Sequence, residues 1–225
     1  MSAAVASDVL KPASEGPGRL RDYVALTKPS ITRMCLLMTG AGLALAPGET
    51  SLWTALAALI GTAMSVGSAN ALNMWWEREP DQQMTRTKDR PLAAGRMAPA
   101  NALVFGIVLG ALALVTLALG TNLLTAALGA FALLAYVAVY TPLKYRTPLA
   151  LVIGAVPGAM PPLMGWTAAT GSMDPGGLAL FALLLVWQMP HFLAIALFRR
   201  VDYARAGIQV VPVVRGDRVA KLQAI

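Results

Sequence analysis

The residues best suited to chemistry form a polar stretch directly after an apolar run that ends near Leu72. Within it, Asn73, Glu77 and Asp81 recur at every fourth position. On a helix each step of four residues turns the side chain by only about 40°, so the three would share one face over roughly 12 Å. Mg²⁺ binds carboxylate oxygens while it keeps waters and shares oxygens with a substrate's phosphates. The spacing therefore predicts a magnesium site.

Two features bear on that prediction. Asn73 lies at the edge of the apolar run, where an unpaired amide is costly, which favours a functional role over a merely solvated helix end. Pro80 removes one backbone donor and biases the residue before it away from helical geometry. We therefore expect Asp81 to lie just past a kink, with its reach set by the following loop.

Basic residues follow in two groups, and they suit the oxygens of a diphosphate. Arg pairs with phosphate in a forked geometry, and Lys acts as a point charge. The alternative is that these residues anchor the loops at the membrane surface, and the sequence leaves both roles open. The predicted diphosphate-binding residues are Arg86, Lys88, Arg90, Lys144 and Arg146.

Two further side chains are candidates for the same site. Asp202 follows the last apolar segment and is predicted on the same membrane side as Asp81, although a surface pair with Arg205 is an alternative. His191 is the only histidine and lies inside an apolar segment, where an ionisable group is a functional candidate. It could ligate a metal, donate to a carboxylate or simply satisfy a contact between helices.

The composition places the chain in a membrane, because 57% of its residues are hydrophobic and only 13% are charged. Segments of this length in a hydrocarbon core of about 30 Å form helices. The first segment is short and is expected to extend back toward Thr27. Six spans are predicted, at Ile31–Ala46, Leu52–Trp75, Ala102–Leu119, Leu123–Tyr140, Leu149–Ala169 and Gly177–Phe198. The fifth carries three prolines and two glycines over residues 154–163, which predicts a broken helix beside a cavity.

The net charge of +7 is a topological signal rather than a sign of nucleic-acid binding. Lys and Arg residues lie in the N-terminal region through Arg33, in the loops that follow the second and fourth spans, and after the sixth span. The loops that follow the first, third and fifth spans have none. This pattern predicts a cytoplasmic N-terminus, and a bacterial plasma membrane is the simplest location. Residues 1–20 are predicted to be a disordered tail, and residues 21–225 one transmembrane domain.

Taken together, these motifs resemble the UbiA superfamily of intramembrane prenyltransferases, and within it the haem-farnesylating branch. The resemblance covers residues 22–214, with Glu77 in place of the more usual Asp and Pro80 where an aliphatic residue is common. The family's Asn-x3-Asp-x3-Asp motif corresponds to residues 73–81, its Met-x-Arg-Thr-x-x-Arg-Pro-Leu motif to 84–92, its Tyr-Thr…Lys-Arg-Thr-Pro stretch to 140–148, its Gly-Ala-x-Pro-Pro-Leu-x-Gly-Trp stretch to 158–166, and its Trp-x-x-Pro-His-Phe…Asp-Tyr-x-x-Ala-Gly-Ile pattern to 187–208.

The resemblance implies an all-α bundle of about nine helices, of which six are present, with residues 219–225 looking like the start of another helix. It also implies farnesyl diphosphate and haem B as substrates and Mg²⁺ as cofactor. The implied partners are haem A synthase or terminal oxidase assembly factors. Asn73, Glu77, Asp81 and Asp202 would hold the metal, and His191 would face the haem. Two alternatives stay open: a related enzyme that prenylates an aromatic quinone precursor, and an anion transporter.

Overall fold

The computed structural model describes residue 16 and residues 18–224, so the predicted tail lies largely outside the described residues. Within this part the chain is helical and has no strand. The elements are α1 Leu20–Leu26, α2 Pro29–Leu45, α3 Leu52–Trp76, a 3₁₀ helix Pro80–Gln83, α4 Pro99–Gly120, α5 Leu123–Leu134, a π-helix Ala135–Tyr140, α6 Thr141–Leu143, α7 Ala150–Thr170, α8 Pro175–Phe198, α9 Arg200–Arg205, α10 Val211–Val214 and α11 Asp217–Gln223.

Five of the six predicted spans are helices long and apolar enough to cross a membrane, namely α3, α4, α5 through α6, α7 and α8. The first predicted span is α2, which is apolar but has only 17 residues. It extends back from Ile31 toward Thr27 as far as Pro29 and stops there, because Lys28 adopts a left-handed conformation, with φ at 46°, and separates α1 from α2.

Local signals explain where the spans begin. Ser51 Oγ accepts a hydrogen bond from the backbone N–H of Thr54 at the start of α3. Asn122 Oδ1 does the same for Thr125 at the start of α5. Such caps satisfy backbone donors that the first turn leaves unpaired. Prolines occupy the first turns of α2, α4 and α8, where the missing donor costs nothing.

The predicted break in the fifth span is wrong, because α7 is a continuous helix with Pro157, Pro161 and Pro162 inside it. Its neighbour α2 crosses it so closely that a Cβ on Gly42 would overlap the carbonyl oxygen of Pro162. Tight burial against α2 stabilises the helical path despite the lost ladder hydrogen bonds. Proline is tolerated in spanning helices where neighbouring protein surrounds it.

Candidate functional site

A cavity of about 630 Å³, lined by both polar and apolar side chains, opens at one end of the bundle and is within the size range of small-molecule sites. Its wall combines the end of α3 and the following loop with α2, the π-helix, α8 and the segment after α9. We call it the outer cavity. Its polar lining residues are Lys28, Asn73, Glu77, Asp81, Arg86, Arg90, Tyr136, Tyr140, Lys144, His191, Arg199, Tyr203 and Gln209.

The three predicted oxygen donors all reach this cavity, although not from one continuous helix. The helix α3 ends at Trp76, and Asp81 lies in the 3₁₀ helix that Pro80 begins. The backbone N–H of Asp81 nevertheless donates to the carbonyl oxygen of Glu77 at 2.8 Å, so the chain keeps turning in the same sense. Asn73, Glu77 and Asp81 are 2%, 3% and 1% exposed, respectively, which makes each a deeply buried polar group.

Glu77 is paired by residues that follow the fourth predicted span. Lys144 forms an ion pair with Glu77 Oε1, and the Tyr145 hydroxyl donates to the same oxygen at 3.0 Å. Burial and the Glu77 charge raise the pKa of Tyr145 above its ordinary value, so the phenol keeps its proton. These contacts bind the end of α3 to the loop after the π-helix and satisfy a carboxylate that would otherwise be costly to bury.

Asp81 is paired by Arg90 from its own loop. Arg90 Nη1 donates to the two carboxylate oxygens of Asp81 at 2.8 and 2.6 Å. Burial raises the pKa of Asp81, and the Arg90 charge opposes that rise. The predicted proximity of acids and bases in this loop is therefore present in the structure, with the acids already paired by bases that line the same cavity.

Lys28 is a lining residue that the sequence reasoning missed. Its Nζ donates to Asn73 Oδ1 at 3.1 Å, while Asn73 Nδ2 donates to Thr141 Oγ1 at 3.2 Å. Burial and the neighbouring Arg90 lower the pKa of Lys28 to about 7. A left-handed backbone conformation is uncommon for a residue other than glycine, and such strain clusters at functional sites. The available signal was a lone lysine directly before the Pro29 that begins a span.

The other predicted bases divide into two groups. Arg86 and Lys144 line the outer cavity together with Arg90. Lys88 and Arg146 are exposed and do not line it. Their positions match the alternative role of anchors at the membrane surface.

Asp202 comes to the same end of the bundle but stops short of the cavity lining. It lies in α9 and accepts a hydrogen bond from Thr85 Oγ1 at 3.4 Å. The two loops meet because Met84 is buried in an apolar cluster with Ala206 and Ile208. No ion pair joins Asp202 to Arg205 in the described part of the chain.

His191 lies on the wall of the outer cavity and is exposed. Its ring stacks on Trp187 one turn earlier in α8, with ring centroids 4.7 Å apart and planes inclined by 19°. The stacking holds the His191 imidazole at the cavity wall. Because His191 is exposed, it is not a buried contact between helices.

The oxygen donors fit a magnesium ion by their chemistry. Asn73, Glu77 and Asp81 supply one amide and two carboxylates to a single cavity, and Mg²⁺ uses one or two carboxylates together with waters and phosphates. Among residues 18–224, no three His, Cys, Asp or Glu side chains converge as a complete ligand set. The residues present therefore suit a metal that shares its coordination with a bound substrate.

Comparison with known proteins agrees with this architecture. The UbiA prenyltransferase family matches residues 35–225. The chain is 55% identical to a protoheme IX farnesyltransferase from Myxococcus xanthus over 204 residues, which is 91% of this chain and 69% of that protein. It is also 55% identical to the protein of the same name from Anaeromyxobacter sp. over 201 residues, with 89% of this chain and 68% of that protein covered.

Solved structures show the same fold. A UbiA homolog from Archaeoglobus fulgidus, bound to GPP and Mg²⁺, superposes with a TM-score of 0.70 at 20% identity, covering 90% of this chain and 72% of that one. A digeranylgeranylglyceryl phosphate synthase superposes with a TM-score of 0.74 at 18% identity, covering 91% and 72%. The family match covers most of the chain and the fold agrees with it, so the chain belongs to the UbiA prenyltransferase family.

Proposed function

We propose that this protein transfers the farnesyl group of farnesyl diphosphate to a vinyl group of protohaem IX and so makes haem O. This is the activity for which relatives 55% identical to this chain are named. The observation that carries it is the outer cavity, whose lining combines buried carboxylates and bases suited to a diphosphate with His191 and apolar side chains. The C1–O bond of the farnesyl group breaks, C1 bonds to the outer vinyl carbon, and water adds to the inner carbon with loss of a proton.

The chain's own bases bind and orient the diphosphate in this proposal. Arg86, Arg90, Lys144 and Lys28 all line the outer cavity, so they can contact the oxygens of a diphosphate bound there. Arginine forks fix the orientation, and the lysines add point charges. Lys88 and Arg146, which lie outside the cavity lining, act as surface anchors. Charge that develops on the leaving diphosphate is thus met by groups already in place, which lowers the barrier.

Asn73, Glu77 and Asp81 would hold the metal in this proposal, and Mg²⁺ at that position would supply positive charge to offset the charge of the leaving diphosphate. We keep Asp202 in the proposed set because its carboxylate contacts Thr85 in the same loop. Without substrate, Lys144 pairs with Glu77 and Arg90 pairs with Asp81. In this proposal the two bases turn to the diphosphate when it binds, and the metal would take their place beside the carboxylates. No buried carboxylate is then left without a partner.

His191 faces the haem in this proposal. The His191 ring lines the outer cavity and is held in place by stacking on Trp187, so it can contact the porphyrin. Apolar side chains beside them, including Phe192 and Ile195, keep water away from the allylic carbon. The protein works in a multi-pass membrane position, which we place in a bacterial plasma membrane with the cavity on the cytoplasmic side.

The test is product formation by purified protein in detergent with farnesyl diphosphate, Mg²⁺ and either haem B or 4-hydroxybenzoate. We expect farnesylated haem with release of diphosphate. Prenylated benzoate alone would assign the protein to quinone biosynthesis, and flux of an anion into vesicles without diphosphate release would assign it to transport.

A matched pair of variants locates the chemistry. Glu77→Gln removes the buried cavity charge, whereas Glu79→Gln changes a mainly exposed carboxylate two residues later. We expect Glu77→Gln to lower turnover by at least about a hundredfold, as removal of one electrostatic partner typically does. Glu79→Gln should retain wild-type turnover. Equal rates in the two variants would remove Glu77 from the site.

A further inference from the structure

The side-chain amide of Asn73 has one end that can bind a cation and one end that cannot. Oδ1 carries lone pairs, whereas Nδ2 carries two N–H donors. Asn73 is 2% exposed and lines the outer cavity, so the orientation of its amide decides which end a cation meets there. The two orientations have nearly the same shape, and their hydrogen-bond partners therefore have to select one of them.

We infer that Thr141 is the residue that selects this orientation and keeps Asn73 Oδ1, rather than Nδ2, available to a cation in the outer cavity. Thr141 is fully buried and does not line that cavity, so it is a positioning residue and does not contact substrate. The inference rests on the metal site of the proposed function, because it takes Asn73 as a member of that site.

The Thr141 hydroxyl accepts a hydrogen bond from Asn73 because its own proton is already used. Thr141 Oγ1 donates to the backbone carbonyl oxygen of Tyr136 at 2.9 Å. A hydroxyl has a single proton, so only its lone pairs are left for the amide. Asn73 Nδ2 donates to these lone pairs at 3.2 Å. The reversed amide would place Oδ1 against an oxygen with no proton to offer, and it is therefore disfavoured.

The π-helix supplies the carbonyl that holds the hydroxyl proton. Thr141 directly follows this helix, and its backbone N–H donates to the same Tyr136 carbonyl oxygen, five residues earlier. A carbonyl oxygen has two lone pairs, so it can accept from both the N–H and the hydroxyl of Thr141. Turns of this width are rare and are frequently found at functional sites. Here the turn fixes the direction in which the Thr141 lone pairs point.

Lys28 supports the same orientation from the other end of the amide. Its Nζ donates to Asn73 Oδ1 at 3.1 Å, and an ammonium group has donors only. The amide oxygen has two lone pairs, so one is left for a second cation. Lys28 lines the outer cavity and contacts the diphosphate in the proposed function, whereas Thr141 lies behind the cavity lining. Thr141 is therefore the partner that Asn73 keeps when substrate binds.

The test measures metal binding directly, with Mn²⁺ as the spectroscopic probe and inorganic diphosphate as its co-ligand. The purified full chain in detergent is titrated with Mn²⁺, and free Mn²⁺ is followed by electron paramagnetic resonance. Thr141→Val removes the hydroxyl at nearly constant volume. We expect it to weaken Mn²⁺ binding by about tenfold, the lower end of the effect of residues that orient a metal ligand. Thr141→Ser keeps the hydroxyl and should restore nearly the wild-type affinity.

Two controls separate positioning from packing. Thr39→Val removes another fully buried hydroxyl, which donates to the Cys35 carbonyl oxygen at 3.0 Å within α2, and Thr39 does not line the outer cavity. This variant should keep the wild-type Mn²⁺ affinity even where its melting temperature falls. In the Asn73→Ala background there is no amide to orient, so adding Thr141→Val should not weaken Mn²⁺ binding further.

The outcomes separate the inference from the proposed function. Weaker Mn²⁺ binding in Thr141→Val, restored in Thr141→Ser and unchanged in Thr39→Val, supports the inference. Wild-type affinity in Thr141→Val, an equal loss in Thr39→Val, or a further loss in the Asn73→Ala background overturns it, while farnesyl transfer by the wild type leaves the proposed function intact.

The remaining outcomes are equally decisive. A wild-type protein that binds Mn²⁺ but transfers no farnesyl group to haem B overturns the proposed function, and the affinities of the variants still decide the inference. Absence of Mn²⁺ binding by the folded wild type with diphosphate overturns both the metal site and the inference. If Thr141→Val does not fold, Thr141→Cys takes its place, because a thiol is a weak acceptor, and wild-type affinity in that variant overturns the inference.

Discussion

The ion pair between Asp81 and Arg90 offers the sharpest test of how the site is built. Asp81 is 1% exposed and Arg90 is 15% exposed, and Arg90 Nη1 contacts both carboxylate oxygens. Arg90→Met leaves that carboxylate buried without its partner. Breaking a buried pair in this way costs about 3–5 kcal/mol, and the partial exposure of Arg90 favours the lower end.

A loss of about 3 kcal/mol corresponds to a fall in melting temperature of roughly 6–12 °C for a chain of this size. The assay is thermal unfolding in detergent, followed by circular dichroism, with a chelator present so that no metal compensates the charge. Asp81→Asn should cost less, because the less buried Arg90 can reach water. The double variant should cost less than the sum of the two single changes, with a coupling of about 1–3 kcal/mol.

Arg78→Met is the matched control for this experiment. Arg78 pairs with Glu79 at 3.4 Å, but the two side chains are 36% and 64% exposed. Exposed pairs contribute about 0–1 kcal/mol, so this variant should melt close to the wild type. If Arg90→Met and Arg78→Met melt at the same temperature, the Asp81 carboxylate is not desolvated as the structure indicates.

Three further predictions concern the surroundings of the site. Burial favours the protonated form of Asp22, but the hydrogen bond and charge of Arg96 prevail and lower the pKa of Asp22 below its ordinary value. The stabilising contribution of the Asp22 carboxylate is therefore present above its ordinary pKa, near 4, and is lost as the pH falls through its pKa in the folded protein. Asp22→Asn should abolish this loss of stability in acid, measured by unfolding from pH 7 to pH 3. Lys28→Met should weaken binding of inorganic diphosphate by at least about tenfold in calorimetry, whereas Lys28→Arg should restore most of it. Asp202→Ala should reduce diphosphate release less than Asp81→Ala, because Asp202 does not line the outer cavity; equal losses would show that α9 moves toward the substrate.

The sequence predicted the spans and the polar end of α3 because both are local properties. A run of apolar residues specifies a spanning helix wherever it occurs, since lipid leaves no other partner for the backbone. Asn73, Glu77 and Asp81 are close in the chain, so even the unexpected end of α3 at Trp76 could not carry them far apart. The bases Arg86 and Arg90 follow within the same loop and share this advantage.

Residues that reach the site from a distance were harder to predict. Lys28 contacts Asn73 across 45 positions, and Tyr145 contacts Glu77 across 68. Nothing in the residue types distinguishes Lys28, which lines the cavity, from Lys88, which lies outside it. Which cation faces inward depends on the crossing of α2 with α7 and on the strained backbone at Lys28, and both are products of packing.

The membrane location and the order of the spans follow from the chain itself, because hydropathy and charge act on each segment separately. Tertiary structure alone decided that α7 stays helical through Pro157, that Asp202 contacts Thr85 rather than lining the outer cavity, and that Met164 packs in a cluster with Leu117. These outcomes depend on which surfaces meet and how closely. Steric fit between remote segments is a property of the assembled bundle rather than of any one of them.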